Sequence, residues 1–177
     1  MAEKYGVGTV MIDEKQIAKR AEEIGKIITE EFAGQEVLVI CILKGAVLWL
    51  ADLIRHIDLD VKIDFMAVSS YGVGTKTSGA VKIIKDLDDP IEGKNVIIIE
   101  DIVDSGITLN YLKNYLLSME PKTLKICTFL DKPAGRQIDI DIDYTGFAVE
   151  DKFIVGYGLD YAQQYRNLPY VTCLTND

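Results

Sequence analysis

Apolar positions along this chain switch between a helical and a strand-like period, and that switching predicts most of its elements. Residues 13–32, DEKQIAKRAEEIGKIITEEF, place Ile17, Ala21, Ile24, Ile27, Ile28 and Phe32 at helical spacing, with Asp13 as N-cap and Gly34 as stop. EVLVICIL follows, and a run without alternation reads as a strand buried on both faces. GAVLWLADLIRHI returns to a helix. VKIDFMAVS reads as a strand with Val61, Ile63, Phe65 and Ala67 on one face and Lys62, Asp64 and Met66 on the other. Residues 69–79, SSYGVGTKTSG, form a small-residue loop, AVKIIKDL a further strand and DDPIEGK a turn. NVIIIED is the next buried strand. SGITLNYLKNYLLSM is a helix with Leu109, Leu112, Leu116 and Met119 on one face, and TLKICTFL a strand. After Asp131 the pattern breaks into short irregular strands, YTGFAV, FIVGYG and YVTCL, while DIDIDY alternates like an exposed strand edge.

Strands alternating with helices predict an α/β fold, a parallel twisted sheet flanked by helices on both faces. No linker, repeat or low-complexity tract divides the chain, so one domain over residues 1–177 is expected. In such sheets ligands bind beyond the carboxyl ends of the strands. That rule selects residues 43–46, 69–79, 100–108 and 131–132.

Composition narrows the class. A chain of 177 residues, 49% of them hydrophobic, can bury a sizeable core, yet no apolar run nears the ~20 residues of a membrane span. The first fifteen residues lack the apolar core of a signal peptide, so the expectation is a soluble, cytoplasmic protein without a membrane partner. Cys41, Cys127 and Cys173 show no CxxC spacing and are expected to be reduced, with neither disulfide nor zinc. The single histidine, His56, excludes a His/Cys metal cluster, and excludes a Ser-His-Asp triad unless it happens to be placed for one. A net charge of -9 argues against a nucleic-acid partner, but not against a small anionic substrate held by local amides and a metal ion.

The chemistry concentrates in VIIIEDIVDSGITL, residues 96–109. The helix after the strand opens near Ser105-Gly106, and a helix start offers unpaired N–H groups and the positive end of its dipole. Ser105 and Thr108 add hydroxyls, and Gly106 lets an anion approach the backbone, which makes a cradle for one phosphate. It is not a Walker A loop, because the chain contains no GxxxxGK[ST]. A site for phosphate alone would not place Glu100, Asp101 and Asp104 beside it. The ligand should also offer hydroxyls or a metal ion, as a ribose 5-phosphate does. Asp104, on the loop, is free to transfer a proton.

These residues resemble the phosphoribosyl-pyrophosphate signature of type I phosphoribosyltransferases. LKGA (43–46) resembles the pyrophosphate loop of that family's hypoxanthine-guanine branch, and SSYGVGTKTSG its mobile catalytic loop. FLDKPAGR and DKFIVGYGLDYAQQYRNLPYV resemble its purine-binding segment. The resemblance spans almost the whole chain, in the family's motif order, and is closest to the bacterial-type enzymes.

The resemblance implies a core over about 35–131, with a small hood formed by about 1–12 and 132–177. It implies Mg2+-dependent transfer of a phosphoribosyl group from 5-phosphoribosyl 1-pyrophosphate to hypoxanthine or guanine, giving IMP or GMP and pyrophosphate. By motif, Glu100 and Asp101 would face the ribose diol and its metal, and Asp104 would manage the proton on the base's imidazole ring. Asp104, Ser105, Gly106, Ile107 and Thr108 would hold the 5-phosphate, and Lys44, Gly45 and Arg166 the pyrophosphate. The family's loop at Lys44-Gly45 often carries a non-proline cis peptide. Lys132 would donate to the exocyclic oxygen of the purine, Phe153 would stack on it, and Ile154 would offer backbone groups to its edge. Asp160 would lie beside the purine and bind magnesium. Ser70 and Tyr71 would close over the site and exclude water. No covalent intermediate is expected, and a homodimer or homotetramer is.

Three residues depart from common family patterns: Ala46, Ser105 in place of Thr, and Glu150 where proline is common. Glu150 bears on the approach to the purine pocket. The alternatives are a xanthine-preferring transferase, a non-catalytic nucleotide-sensing regulator on the same fold, and a response-regulator-like domain. Acidic charge weighs against a regulator that binds RNA. CILKG stands where a response regulator would have its acidic pair.

Overall fold

The computed structural model describes residues 6–71 and 80–175, with Ser70, Tyr71 and Ala80 by their backbone alone. Helix α1 (Glu14–Glu31) begins at a reciprocal cap. The Asp13 carboxylate accepts from Gln16 N–H at 2.8 Å, and Gln16 Oε1 accepts from Asp13 N–H at 2.9 Å. Asp13→Ala is expected to lower unfolding stability by about 1 kcal/mol. The check is a lower urea midpoint at unchanged slope; an unmoved midpoint would show that the cap contributes nothing. The helix buries Ile17, Ala21, Ile24 and Ile28. Ile27, grouped with them by spacing, is 47% exposed and lies off the buried stripe.

The main sheet has six strands. These are β2 (Val37–Leu43), β3 (Val61–Tyr71), β4 (Ala80–Lys85), β5 (Asn95–Val103), β6 (Thr123–Asp131) and β7 (Tyr144–Ala148), in the order β4-β3-β2-β5-β6-β7. Five run parallel, as expected, and β4 adds to one edge by pairing antiparallel with β3. A period of two is the same for either strand direction. The hood boundary at residue 131 also moves, because β7 pairs with β6 and extends the core sheet to Ala148. DIDIDY does not form an exposed edge strand: Ile140 is buried and the Asp143 carboxylate accepts from Ile126 N–H at 2.8 Å.

The non-alternating runs are explained by helices on both faces. Val39 and Cys41 of β2, with Ile97 and Ile99 of β5, pack with α1 and α2 (Val47–Leu53). Their neighbours Leu38, Ile40, Val96 and Ile98 pack with Leu109, Leu112 and Leu116 of α3 (Ile107–Leu117). Residues 54–56 extend α2 as a 3₁₀ turn, where His56 packs against Gly25 of α1. In β3 it is Asp64 and Met66 that are buried, while Ile63 is 43% exposed. Asp64 is satisfied there by Lys85 at 3.3 Å and by the Asp88 N–H at 2.9 Å.

The N- and C-terminal segments meet in a separate antiparallel sheet. It joins β1 (Gly6–Ile12), β9 (Val171–Thr175) and β8 (Ile154–Val155), in the order β1-β9-β8. All three cysteines are free thiols. Burial, with the Glu100 and Asp101 charges, pushes the Cys41 thiol up to about 12. Among the described residues no helix is long and apolar enough to cross a membrane.

Candidate active site

The chain leaves β2 toward β3 by way of α2 on one face, and leaves β5 toward β6 by way of α3 on the other. The winding therefore reverses between β2 and β5, and a crevice opens beyond their carboxyl ends. β2 stops at Leu43 and pairs with β5 only as far as Ile99. β6 stays paired to β5 as far as Asp131, which faces Val103. Glu100 and Asp101 thus lie within β5, not at its end as read from sequence. One flank of β5 is free at these two acids, and the loop after β2 occupies it.

That loop is pressed against Asp101. The Leu43–Lys44 peptide is cis. A Cβ on Gly45 would fall 1.5 Å from Asp101 Oδ2. Gly45 is buried and Lys44 exposed. On the loop's other side the Gly45 carbonyl packs against Gly158, whose own Cβ would fall 2.1 Å from that oxygen. Arg166 caps this stack. Its Nη1 donates to Gly158 O at 2.8 Å, and its Nη2 stands 2.6 Å from Asp160 Oδ1. Asp160 Oδ2 accepts from Gln163 N–H at 2.8 Å.

Burial, reinforced by the neighbouring Asp101 charge, raises Glu100 well above the usual carboxylate range. Burial raises Asp101 too, against the opposing pull of its bonds to Glu100 and Ile102 N–H and of the Arg166 charge.

The loop after β5 forms a cleft lined by Glu100, residues 102–106, Thr108 and Leu109. Gly106 is the N-cap of α3 at φ +79, a left-handed conformation that suits glycine, and a Cβ there would meet Ile138 O at 2.6 Å. Gln137 and Ile138 N–H both donate to Ser105 O, at 2.9 and 3.0 Å. Ser105 Oγ accepts a long bond from Ile107 N–H at 3.4 Å. Backbone bonds therefore set the cleft's shape, and Thr108 is among the residues that line it.

Asp104 and Lys132 meet across the mouth of this cleft. Lys132 Nζ is 2.7 Å from Asp104 Oδ2 and 3.1 Å from Asp151 Oδ1, and its side chain is only 12% exposed. Burial disfavours the ammonium charge, but the bonds to Asp104 and Asp151 outweigh it and raise the Lys132 pKa. Lys132 N–H donates to Val103 O at 2.9 Å, which ties the end of β6 to the Asp104 loop. Arg136 strengthens the tie through Asp104 O at 3.1 Å and the Asp131 carboxylate.

Phe153 is 56% exposed and meets Tyr161 edge to face, ring centroids 5.3 Å apart. Ile154 is buried in β8. Ser70 and Tyr71 end β3, but their side chains and the catalytic-loop reading of residues 72–79 lie outside the described residues. His56 is not among the residues that line the Asp104 cleft. Sequence reasoning passed over Asp151, Tyr161, Arg136 and Gly158. Only Asp151 carried a signal, as an acid two positions before the exposed Phe153.

Comparison with known proteins identifies the family. The phosphoribosyl transferase domain model matches residues 10–162. A Bacillus subtilis hypoxanthine-guanine phosphoribosyltransferase is 52% identical over 97% of this chain and 95% of its own length. A Salmonella typhimurium hypoxanthine phosphoribosyltransferase is 49% identical over 92% of each chain. The crystal structure of a Bacillus anthracis hypoxanthine-guanine phosphoribosyltransferase, with a HEPES molecule in its active site, superposes with a TM-score of 0.92. It is 48% identical and matches over 96% of this chain and all of the other. The matched segment runs from β1 through the reversal crevice, the cleft after β5 and the Lys132–Asp104 pair to Asp160, so the chain belongs to the phosphoribosyltransferase family.

Proposed function

We propose that this phosphoribosyltransferase is a purine salvage enzyme. It transfers the 5-phosphoribosyl group from 5-phosphoribosyl 1-pyrophosphate to hypoxanthine or guanine, giving IMP or GMP and pyrophosphate. The names of its half-identical relatives support the reaction. One observation carries the class of base: Lys132 Nζ and Asp104 Oδ2 stand 2.7 Å apart. A 6-oxopurine presents its carbonyl oxygen beside an imidazole-ring N–H, an acceptor next to a donor. The ammonium meets the first and the carboxylate the second. A 6-aminopurine would turn an amino group toward the ammonium, and a buried donor facing a donor is strongly disfavoured.

The reaction breaks the bond between ribose C1 and the pyrophosphate oxygen as a ring nitrogen of the base attacks C1. Asp104 accepts the proton that the base loses. Positive charge develops on the sugar, which suits Glu100 and Asp101 beside the diol. Negative charge develops on the leaving group, which suits Arg166, Lys44 and the amide of Gly45. Ser105, Gly106, Ile107 and Thr108 hold the 5-phosphate. Phe153 offers the base its exposed face, and Ile154 its backbone.

Carboxylate oxygens are the donors that Mg2+ takes, commonly one or two together with substrate oxygens. Buried Glu100 and half-buried Asp101, adjacent in β5, fit that role. Asp160 would have to share its oxygens with Arg166 and Gln163 N–H. When bound, the ion supplies neutralisation of the pyrophosphate charge. The expectation of a homodimer or homotetramer rests on the family resemblance, and sedimentation velocity distinguishes the two assemblies; that of a cytoplasmic location rests on the sequence having neither a signal-peptide core nor an apolar run of membrane-span length.

Pyrophosphate release with hypoxanthine, guanine, xanthine and adenine in turn tests the substrate reading. Adenine turned over as well as hypoxanthine would overturn it, and a clear preference for xanthine would move the assignment to that base. Lys132→Ala is expected to raise the KM for hypoxanthine roughly 10- to 150-fold, the scale of a bond to a charged donor. The KM for 5-phosphoribosyl 1-pyrophosphate should stay nearly unchanged, and equal rises in both would refute the assignment of Lys132 to the base.

A further inference from the structure

Lys132 has two carboxylate partners, and the reaction above uses one. The second, Asp151, stands at the apex of a tight turn, where Lys152 N–H donates to Glu150 O at 2.8 Å. The Lys152 ammonium pairs with the Glu150 carboxylate at 2.6 Å, so the flanking charges engage each other while Asp151 Oδ1 engages Lys132 at 3.1 Å. Glu150, the residue that departs from a common family proline, thus helps to close this turn. Just before the turn, Val149 N–H donates to Asp131 O at 2.8 Å; just after it, Phe153 O accepts from Leu174 N–H at 3.0 Å. The turn is therefore fixed at one end to the residue preceding Lys132 and at the other to the hood sheet.

A lysine ammonium sits on a flexible four-carbon stem with three donors, and it holds a useful position only when those donors are engaged. Asp104 cannot be its lasting anchor, because the reaction turns that carboxylate to the base's imidazole N–H. We propose that Asp151 is a positioning residue. It keeps the Lys132 ammonium aimed at the exocyclic oxygen of the oxopurine while Asp104 is occupied with the base. The proposal rests on the reading of Lys132 as the donor to that oxygen.

Steady-state kinetics with hypoxanthine and 5-phosphoribosyl 1-pyrophosphate, each varied separately, test it in D151N, D151E and K132A. Because Asp151 is largely exposed, D151N is expected to raise the KM for hypoxanthine by only about 2- to 5-fold. The KM for the pyrophosphate substrate and the thermal midpoint should stay in place. D151E should recover most of the loss, and D151N should add nothing in a K132A background. A D151N enzyme with unchanged hypoxanthine KM, alongside a K132A enzyme with a raised one, overturns the role of Asp151 and leaves that of Lys132 intact. An unchanged hypoxanthine KM in K132A overturns the underlying reading instead. Equal rises in both KM values, or a lowered midpoint that D151E does not restore, would make Asp151 merely structural.

Discussion

Asp104→Asn is expected to lower turnover roughly 10²-fold or more, the scale of a lost acid–base group. The substitution is close to isosteric, and an amide oxygen can still accept from the Lys132 ammonium now 2.7 Å away. The amide cannot take a proton from the base. The loop should survive the change, because its shape is set by backbone groups: Arg136 bonds Asp104 O, and Gln137 and Ile138 N–H bond Ser105 O. The loss should therefore fall on kcat, with the thermal midpoint and the KM for 5-phosphoribosyl 1-pyrophosphate nearly unmoved. The check is single-turnover and steady-state rates of IMP formation. Wild-type turnover in the variant would leave Asp104 only a holding role. A loss confined to the hypoxanthine KM would mean the same.

What could be read in advance was local. Asp13 and the spacing of Ile17, Ala21, Ile24 and Ile28 define α1 within their own turns, so the helix and its cap needed nothing from the rest of the chain. The uninterrupted apolar runs of β2 and β5 required cover on both faces, and two helical layers supply it. What could not be read was set by distant partners. The position of Glu100 and Asp101 inside β5 depends on β2 ending at Leu43 while β6 runs on to Asp131. β7 joins the main sheet through parallel pairing with β6, with only a three-residue 3₁₀ turn, Pro133–Gly135, between them to advertise the crossover. β4 reads identically in either direction.

The site follows the same division. The cleft after β5 is lined by one nearly continuous stretch, Glu100 to Leu109, so its lining could be picked out locally. The meeting of Lys132 with Asp151, and of Gly45 with both Asp101 and Gly158, joins segments far apart in sequence. No local pattern marks such contacts.

Gly45→Ala probes the tightest of these contacts. The added Cβ would lie 1.5 Å from Asp101 Oδ2, 2.5 Å from its Cγ and 3.1 Å from its Cβ, so the whole carboxylate must leave or the loop must withdraw. Withdrawal is opposed on the far side, where the Gly45 carbonyl rests on Gly158 and Arg166 is bonded to the Gly158 carbonyl. Rotation of Asp101 breaks its 2.7 Å bond with Ile102 N–H and removes the carboxylate proposed above to face the ribose. Either response displaces a reacting-site group by about an ångström, a shift that can lower kcat/KM for 5-phosphoribosyl 1-pyrophosphate roughly 10²-fold. Overpacking should also lower stability by about 1–3 kcal/mol. The double variant Gly45→Ala with Asp101→Gly separates the two effects. Deleting the carboxylate removes the clash, so the urea midpoint should recover, while activity stays low because Asp101 itself is missing. A single Gly45→Ala enzyme with wild-type kcat/KM would show that the loop can yield at no expense to the site. The pinching of Gly45 between Asp101 and Gly158 would then have no part in binding pyrophosphate.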